Sequence, residues 1–131
     1  MHEKIVSKER LLEVREALRA EGRTLVQCHG CFDIVHPGHI RYLAFAKEQG
    51  DVLLVSVSSD RHVGKGFDRP FINENLRAEN LAVLEFVDYV YVDDNDWAGP
   101  ILSDVKPDVY IKGKEYETKC RQKGTHKRRH P

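Results

Sequence analysis

Residues 52–57, Val-Leu-Leu-Val-Ser-Val, form an almost unbroken apolar run of strand length. A strand that is covered on both faces has no solvent side, so such a run is typical of a parallel sheet with helices above and below. Strand-like segments at 24–28, 89–92 and 109–111 alternate with helix-like segments at 8–21, 38–49, 74–86 and 97–105. This order predicts an α/β, Rossmann-like fold: a parallel sheet of about four to five strands with helices on both faces.

The ends of these segments carry local signals. Ser7 is a typical N-cap for the helix at 8–21, and Gly22 is a typical residue just beyond its end. Residues 61–73, with two glycines and a proline, predict a loop. A chain of 131 residues is long enough for one core, which we place in a domain at 1–117. Residues 118–131 lack apolar periodicity and predict a disordered, basic tail.

Charge and composition exclude several classes of protein. Lys and Arg total 21, as do Asp and Glu, so no overall positive field favours nucleic acid. Residues 119–131 hold six of the basic residues and no acid, which is typical of a nucleic-acid arm or of a solvated terminus. We favour the terminus and expect no nucleic-acid partner. No segment reaches the roughly 18 apolar residues of a membrane span, and the charged N-terminus lacks a signal-peptide core. Three cysteines, an odd number, favour the reducing cytoplasm.

Residues 30–39, Gly-Cys-Phe-Asp-Ile-Val-His-Pro-Gly-His, join the first predicted strand to a helix. Backbone N–H groups at a glycine turn and a helix N-terminus bind anions, and the helix dipole favours negative charge there. Pro37 suits the first helical position. His36 and His39 are three residues apart and share one face of the opening turn. The segment therefore predicts a phosphate site at the end of a strand.

This segment resembles the signature of the cytidylyltransferase-like nucleotidyltransferases, Gly-x-Phe-Asp followed by His-x-Gly-His. The likeness covers roughly residues 4–117 and includes 50–55, 59–60, 69–70, 75–78, 87–90, 106–109 and 112–113. It is strongest to heptose 1-phosphate adenylyltransferase domains, with glycerol-3-phosphate cytidylyltransferase as a shorter relative. The resemblance implies transfer of AMP or CMP from ATP or CTP to a sugar phosphate or polyol phosphate, with release of pyrophosphate. It also implies Mg²⁺, held chiefly by phosphate oxygens, so we expect no protein metal site.

The resemblance also assigns residue roles. His36 and His39 contact the triphosphate and stabilise the transition state, and Lys65 is the further catalytic cation. The remaining positions would bind the nucleotide or an acceptor phosphate: Gly30, Cys31, Phe32, Asp33, Gly38, Asp60, Arg77, Lys112 and Gly113. Two of these have a structural alternative: Asp33 would brace the turn, and Arg77 would pair with a carboxylate such as that of Glu74.

Relatives of this kind carry a further helix and strand after the Lys-Gly pair, leading to a Ser/Thr-rich helix start that binds the triphosphate. The present sequence has no such segment: Ser103 is its last serine, and Thr118 and Thr125 stand alone in the basic tail. Two functions therefore stay open, a nucleotidyltransferase and a nucleotide-binding module that acts as a partner subunit. A sheet edge left open by the missing elements would favour a homodimer or instability.

Cys28 and Cys31 have the spacing of a zinc or redox pair, and three histidines lie nearby. A structural zinc site usually needs a second ligand pair, and Cys120 in the tail is a poor candidate. We therefore interpret both cysteines as buried free thiols.

Overall fold

The computed structural model describes residues 2–63 and 72–112. In chain order the elements are α1 (Lys8–Glu21), β1 (Leu25–Gly30), α2 (Pro37–Lys47), β2 (Val52–Ser58), a 3-10 turn (Asp60–His62), α3 (Glu74–Ala82), β3 (Tyr89–Asp93), α4 (Gly99–Val105) and β4 (Val109–Tyr110). The predicted alternation of strands and helices is confirmed. Several boundaries differ from the prediction: α2 spans Pro37–Lys47 rather than 38–49, and α4 begins at Gly99 rather than at residue 97. β1 continues to Gly30 because its pairing with β2 extends that far, and α3 ends at Ala82 rather than at residue 86.

The four described strands form one parallel sheet in the order β3-β2-β1-β4. The chain builds outward from β1 through β2 to β3, and then crosses to the other side of β1 to form β4. In open parallel sheets, ligands bind beyond the carboxyl ends of the strands where the strand order reverses in this way. That position here lies between the ends of β1 and β4, next to Gly30 and Lys112.

Apolar side chains cover both faces of the sheet. Alternate residues of β1 point to opposite faces: Val26 and Cys28 join the core under α2 and α3, while Leu25 joins the core under α1 and α4. Every residue of β2 is buried, as its unbroken apolar run predicts. The prediction of a Rossmann-like sheet with helices on both faces is therefore confirmed.

Local capping explains where α1 begins and ends. The Ser7 side chain accepts a hydrogen bond from the Arg10 backbone N–H, and Gly22 adopts a left-handed conformation with φ of 71°. Glycine reaches that conformation without the steric cost that a Cβ atom would impose. Both residues have the roles that the sequence predicts.

The N-terminal segment pairs with the outer edge of β3. The Val6 N–H donates to the Val90 carbonyl at 2.9 Å, and the Val90 N–H donates to the Lys4 carbonyl at 2.9 Å. This pairing satisfies backbone groups that an edge strand would otherwise expose. None of the helices in the described ranges is long and apolar enough to span a membrane. The predicted domain boundary after residue 117 and the predicted tail lie outside the described residues.

Candidate active site

The first turn of α2 holds its two histidines in a reciprocal cap. Nδ1 of His36, the N-cap residue, accepts a hydrogen bond from the Gly38 N–H at 3.1 Å. Nδ1 of His39 accepts one from the His36 N–H at 3.3 Å. Because a neutral imidazole carries its proton on the nitrogen that does not accept, both rings then carry it on Nε2. The backbone thus fixes each ring as a hydrogen-bond donor through Nε2.

The two imidazole rings lie against each other, with centroids 3.9 Å apart and planes 33° from parallel. The Phe32 ring packs edge-on against His39, with a centroid distance of 5.4 Å. His39 is buried and His36 is partly exposed. The sequence prediction that the two histidines share one face of the turn is confirmed.

The turn that precedes α2 is tight and braced. Phe32 adopts a positive φ of 47°, which is uncommon for a residue with a bulky side chain. A Cβ atom on Gly30 would lie 3.0 Å from the Phe32 ring, so glycine makes room for that ring. The Asp33 carboxylate accepts a hydrogen bond from the Ile72 N–H at 2.9 Å. Asp33 therefore braces the turn, as one of its two interpretations expects, and its contact with nucleotide stays a prediction.

Arg77 is fully buried and donates to four protein oxygens. Its Nη1 atom donates to the carbonyls of Cys31 and Ser58, at 2.8 and 2.7 Å, and so joins the ends of β1 and β2. Its Nε atom donates to the Ile72 carbonyl at 2.8 Å, and its Nη2 atom pairs with Asp60 Oδ1 at 2.8 Å. These bonds make Arg77 the common anchor of the site's rim. Its predicted phosphate contact stays a prediction.

The carboxylate partner of Arg77 differs from the one that the sequence suggests. Glu74 instead accepts a hydrogen bond from the Asp60 backbone N–H at 2.9 Å. Asp60 thus pairs with the Arg77 guanidinium, and Glu74 holds the backbone of Asp60 in place. The structure brings Asp60 and Arg77 together at the carboxyl end of β2, although 17 positions separate them in the chain.

A second polar group lies within the strands, and the sequence analysis does not single it out. Ser56 Oγ lies 2.7 Å from His29 Nδ1 and accepts a hydrogen bond from Gln27 Nε2 at 3.0 Å. Within the described part of the chain, His29 Nε2 and Gln27 Oε1 are buried without a hydrogen-bond partner. Each buried polar group left unpaired costs about 1–3 kcal/mol. The available signal was the presence of polar residues at two alternate positions of a core strand.

His29 is neutral at physiological pH. Burial lowers its pKa to about 4, and the positive charge of Lys112 adds to that effect. Lys112 follows β4, so the two residues flank the point where the strand order reverses. This arrangement places a charged amine and an uncharged imidazole on the same side of the candidate site.

The two cysteines near the site are buried, and neither forms a disulfide. Burial raises the pKa of the Cys28 thiol to about 12, although a hydrogen bond with Tyr42 acts in the opposite direction. Since the thiolate is the form that binds metal and reacts, Cys28 is an unreactive core residue. The prediction of buried free thiols is confirmed.

In the described ranges, no group of three or more His, Cys, Asp and Glu side chains could hold a metal ion. The turn at residues 30–39 offers imidazole and backbone N–H donors, which bind the oxygens of an anion, whereas Mg²⁺ requires oxygen ligands of its own.

Comparison with known proteins identifies the family. A family model described as cytidylyltransferase-like matches residues 27–129. The chain belongs to the cytidylyltransferase-like family. The match begins in β1 and includes the turn with both histidines, so the sequence resemblance is confirmed. The family is one of nucleotidyltransferases.

Individual relatives are also similar to this chain in sequence. The bifunctional protein HldE of Campylobacter fetus subsp. fetus is 45% identical over 118 residues, which cover 88% of this chain and 25% of the relative. HldE of Syntrophotalea carbinolica is 41% identical over 115 residues, covering 86% and 24%. The chain therefore spans about a quarter of the length of these curated relatives.

A solved structure supports the cytidylyltransferase-like fold. The crystal structure of the lipopolysaccharide core biosynthesis protein from Thermoplasma volcanium GSS1 superimposes with a TM-score of 0.61 and 36% sequence identity. The superposition covers 68% of this chain and 73% of the other.

The site of this cytidylyltransferase-like chain combines most of the residues that the sequence proposes. The structure gathers these around the ends of β1, β2 and β4: Gly30, Cys31, Phe32, Asp33, His36, Gly38, His39, Asp60, Arg77 and Lys112. Lys65 and Gly113 fall outside the described residues. The hydrogen-bonded group of Gln27, His29 and Ser56 was not predicted from the sequence.

Proposed function

We propose that this chain transfers AMP, or alternatively CMP, from a nucleoside triphosphate to a sugar phosphate or polyol phosphate and releases pyrophosphate. The observation that carries the proposal is the reciprocal cap of His36 and His39, which presents two Nε2–H donors at a helix N-terminus. Donors fixed in advance are the feature that phosphoryl-type transfer needs, because little covalent chemistry is left for the protein.

The reaction is a displacement at the α-phosphorus. An oxygen of the acceptor phosphate forms a bond to that phosphorus, while the bond to the oxygen bridging the α- and β-phosphates breaks. Pyrophosphate leaves with the electron pair. His36 and His39 donate hydrogen bonds to oxygens on which negative charge grows, and the N-terminus of α2 adds its positive potential. Neither histidine needs to form a covalent bond.

The remaining assignments belong to this proposal. The backbone at 30–32 and Gly38 approach the phosphates, Lys65 supplies a further positive charge, and Asp60, Lys112 and Gly113 contact the ribose or base. Mg²⁺ enters with the triphosphate. The choice of ATP over CTP follows the stronger likeness to adenylyltransferase domains. A phosphorylated sugar acceptor agrees with the solved relative, which is named as a lipopolysaccharide core biosynthesis protein.

The test is pyrophosphate release, measured with Mg²⁺ and either ATP or CTP against sugar 1-phosphates and glycerol 3-phosphate. We expect release that requires an acceptor and that falls by a factor of about 10² to 10³ in His39→Ala, the usual cost of losing one transition-state donor. His2→Ala is the matched control, because His2 precedes the segment that pairs with β3 and lies away from the carboxyl ends of the strands.

Near-normal turnover in His39→Ala would remove that residue from the catalytic assignment. Calorimetric binding of a triphosphate without pyrophosphate release from any acceptor would favour the binding module instead. Membership of a nucleotidyltransferase family argues for the enzyme over that module.

The cellular setting and the oligomeric state are further parts of the proposal. A cytoplasmic location is supported by the two buried thiols and by the need for a nucleoside triphosphate. A homodimer is supported by β4, which pairs with β1 on one side and with no described strand on the other. Sedimentation velocity at several concentrations would show a single monomeric species if the dimer proposal is wrong.

A further inference from the structure

Gln27, His29 and Ser56 form a connected group that we name the polar shelf. Gln27 and His29 are alternate residues of β1, and Ser56 lies on β2 directly opposite His29. Along the same sheet face, towards the amino ends of the strands, lie the apolar side chains of Leu25 and Leu54. The shelf therefore begins where the apolar core of that face stops.

The hydrogen bonds within the shelf define which of its polar atoms are left without a partner. The 2.7 Å distance between Ser56 Oγ and His29 Nδ1 is typical of a hydroxyl donor, whereas the contact from Ser56 Oγ to the Cys28 carbonyl is longer, at 3.4 Å. If the single Ser56 hydroxyl proton is donated to the nearer atom, Nδ1, the His29 proton lies on Nε2. Since Gln27 donates its amide N–H to Ser56, its Oε1 atom remains an acceptor.

Both remaining atoms are buried and have no hydrogen-bond partner within residues 2–63 and 72–112. His29 is 8% exposed and Gln27 is 0% exposed. Two adjacent side chains thus present one unpaired donor and one unpaired acceptor. A native core rarely leaves such groups without a water or ligand to satisfy them.

The chemistry of the shelf differs from that of the histidine pair at the start of α2. Neither Gln27 nor His29 carries a charge, so the shelf has no positive charge of its own to attract phosphate. A hydroxyl group both donates and accepts, and it therefore matches an N–H and a carbonyl oxygen together. Lys112, which the proposed function assigns to the ribose or base, is close enough to act on His29, so the shelf adjoins the part of the site that would hold an uncharged group.

The position of the shelf also points to a substrate. The two β1 residues of the shelf lie near the carboxyl end of that strand, beside the reversal of strand order, and His29 directly precedes Gly30. Alternation along β1 directs its side chains to the α1 and α4 face, whereas α2 with its two histidines packs on the opposite face. A ligand that lies across the carboxyl ends of the strands would meet phosphate donors on one face of the sheet and the polar shelf on the other face.

We propose that the polar shelf is a subsite for sugar hydroxyls, in which His29 Nε2–H donates to a hydroxyl and Gln27 Oε1 accepts from one. The identity of the ligands rests on the proposed function. The hydroxyls come either from the ribose of the nucleotide or from the sugar of the acceptor. Gln27 and His29 are then residues that determine specificity and that bind the uncharged part of a substrate.

Calorimetry on the full chain tests this subsite without relying on turnover. The ligands are ATP, 2′-deoxy-ATP, 3′-deoxy-ATP and, in the presence of ATP, mannose 1-phosphate. The variants are Gln27→Met and His29→Phe, with His29→Asn as a second, smaller change should the phenyl ring disturb folding. Gln49→Met is the matched control, since Gln49 is an exposed amide near the end of α2.

If the ribose occupies the shelf, Gln27→Met weakens ATP binding about 10-fold, the effect of one lost hydrogen bond, and leaves one of the deoxy analogues unaffected. If the acceptor occupies it, ATP binding is unchanged and mannose 1-phosphate binding weakens by a similar factor. Either result supports the subsite and names its source. Gln49→Met should change neither affinity.

Unchanged affinities for every ligand in variants that fold would overturn the proposal and make the shelf a hydrated part of the core. Wild-type chain that binds neither ATP nor mannose 1-phosphate would overturn both this proposal and the proposed function. Shelf-dependent binding without pyrophosphate release would overturn the proposed function alone, whereas pyrophosphate release with shelf-independent binding would overturn the subsite alone.

Discussion

Three histidines within eleven residues show how environment decides the chemistry of one side chain. His36 and His39 each accept a backbone N–H through Nδ1 at a helix start. His29 instead meets a serine hydroxyl inside the sheet, away from solvent. The first two thereby cap a helix, and our proposal makes them donors to an anion, whereas the third is a neutral, buried polar group. Their residue type is the same, and the secondary structure on which they lie separates their roles.

The buried state of His29 predicts a dependence of stability on pH. Its pKa of about 4 in the folded protein lies below the ordinary value of 6.5. The unfolded chain therefore binds a proton first as the pH falls, and the free energy of unfolding decreases between about pH 6.5 and pH 4. The full loss from this residue is on the order of 3 kcal/mol.

Urea denaturation at several pH values checks this, with His29→Asn for comparison. The difference in unfolding free energy between wild type and variant should shrink as the pH falls through that range. Parallel pH profiles for the two proteins would show that His29 does not titrate as a buried neutral residue.

At the scale of elements, buried charge fixes how α1 docks against the sheet. Arg15 of α1 donates to the Lys106 carbonyl at 2.9 Å and pairs with Asp108 at 3.3 Å. Burial favours the neutral acid, but hydrogen bonds from the Leu25 N–H and from Arg15 outweigh it and hold the pKa of Asp108 below its ordinary value. One arginine thus links α1, the end of α4 and the start of β4.

Arg15→Met should lower the free energy of unfolding by about 1–3 kcal/mol, because it leaves the Lys106 carbonyl and the Asp108 carboxylate with fewer partners. Arg19→Met is the matched control on the same helix. Arg19 forms an exposed ion pair with Glu16 and acts on Asp108 only as a more distant charge, the last of the causes that lower its pKa, so the loss of Arg19 should cost about 0.5 kcal/mol or less. Chemical denaturation measures both, and equal effects would contradict the anchoring role of Arg15.

At the scale of the whole molecule, the outer edge of β3 is covered by the chain's own N-terminal segment. Two backbone hydrogen bonds join Lys4 and Val6 to Val90 on that strand. An uncovered edge would present unpaired N–H and carbonyl groups to other chains. The segment therefore satisfies part of that edge just before α1, which follows it directly.

Val6→Pro should uncover part of that edge, because proline cannot donate to the Val90 carbonyl. We expect a loss of about 1–2 kcal/mol relative to Val6→Ala, which shortens the side chain but keeps the N–H. Light scattering should detect more self-association in the proline variant. Identical scattering and stability in the two variants would show that the edge pairing neither stabilises the fold nor limits self-association.

Local signals were enough to predict the elements and the capped turn at the start of α2. Ser7, Gly22 and Pro37 act within one helical turn of their own position, and the apolar run of β2 reports its burial directly. The two histidines of α2 are three residues apart, so their shared face follows from helical geometry. Each of these features depends on residues that are neighbours in the sequence.

The partners of the remaining site residues depended on the tertiary structure. Arg77 contacts the Cys31 carbonyl from 46 positions away, and His29 meets Ser56 across 27 positions. Such pairs exist only because β1 lies beside β2 and α3 packs near the ends of both strands, an arrangement that no local pattern specifies. The sequence by itself determined the elements and the turn that places His36 and His39 at the start of α2, because their signals are local. Only the sheet topology decided that Arg77 anchors the rim and that His29 is buried and neutral, because burial and pairing depend on which distant segments become neighbours.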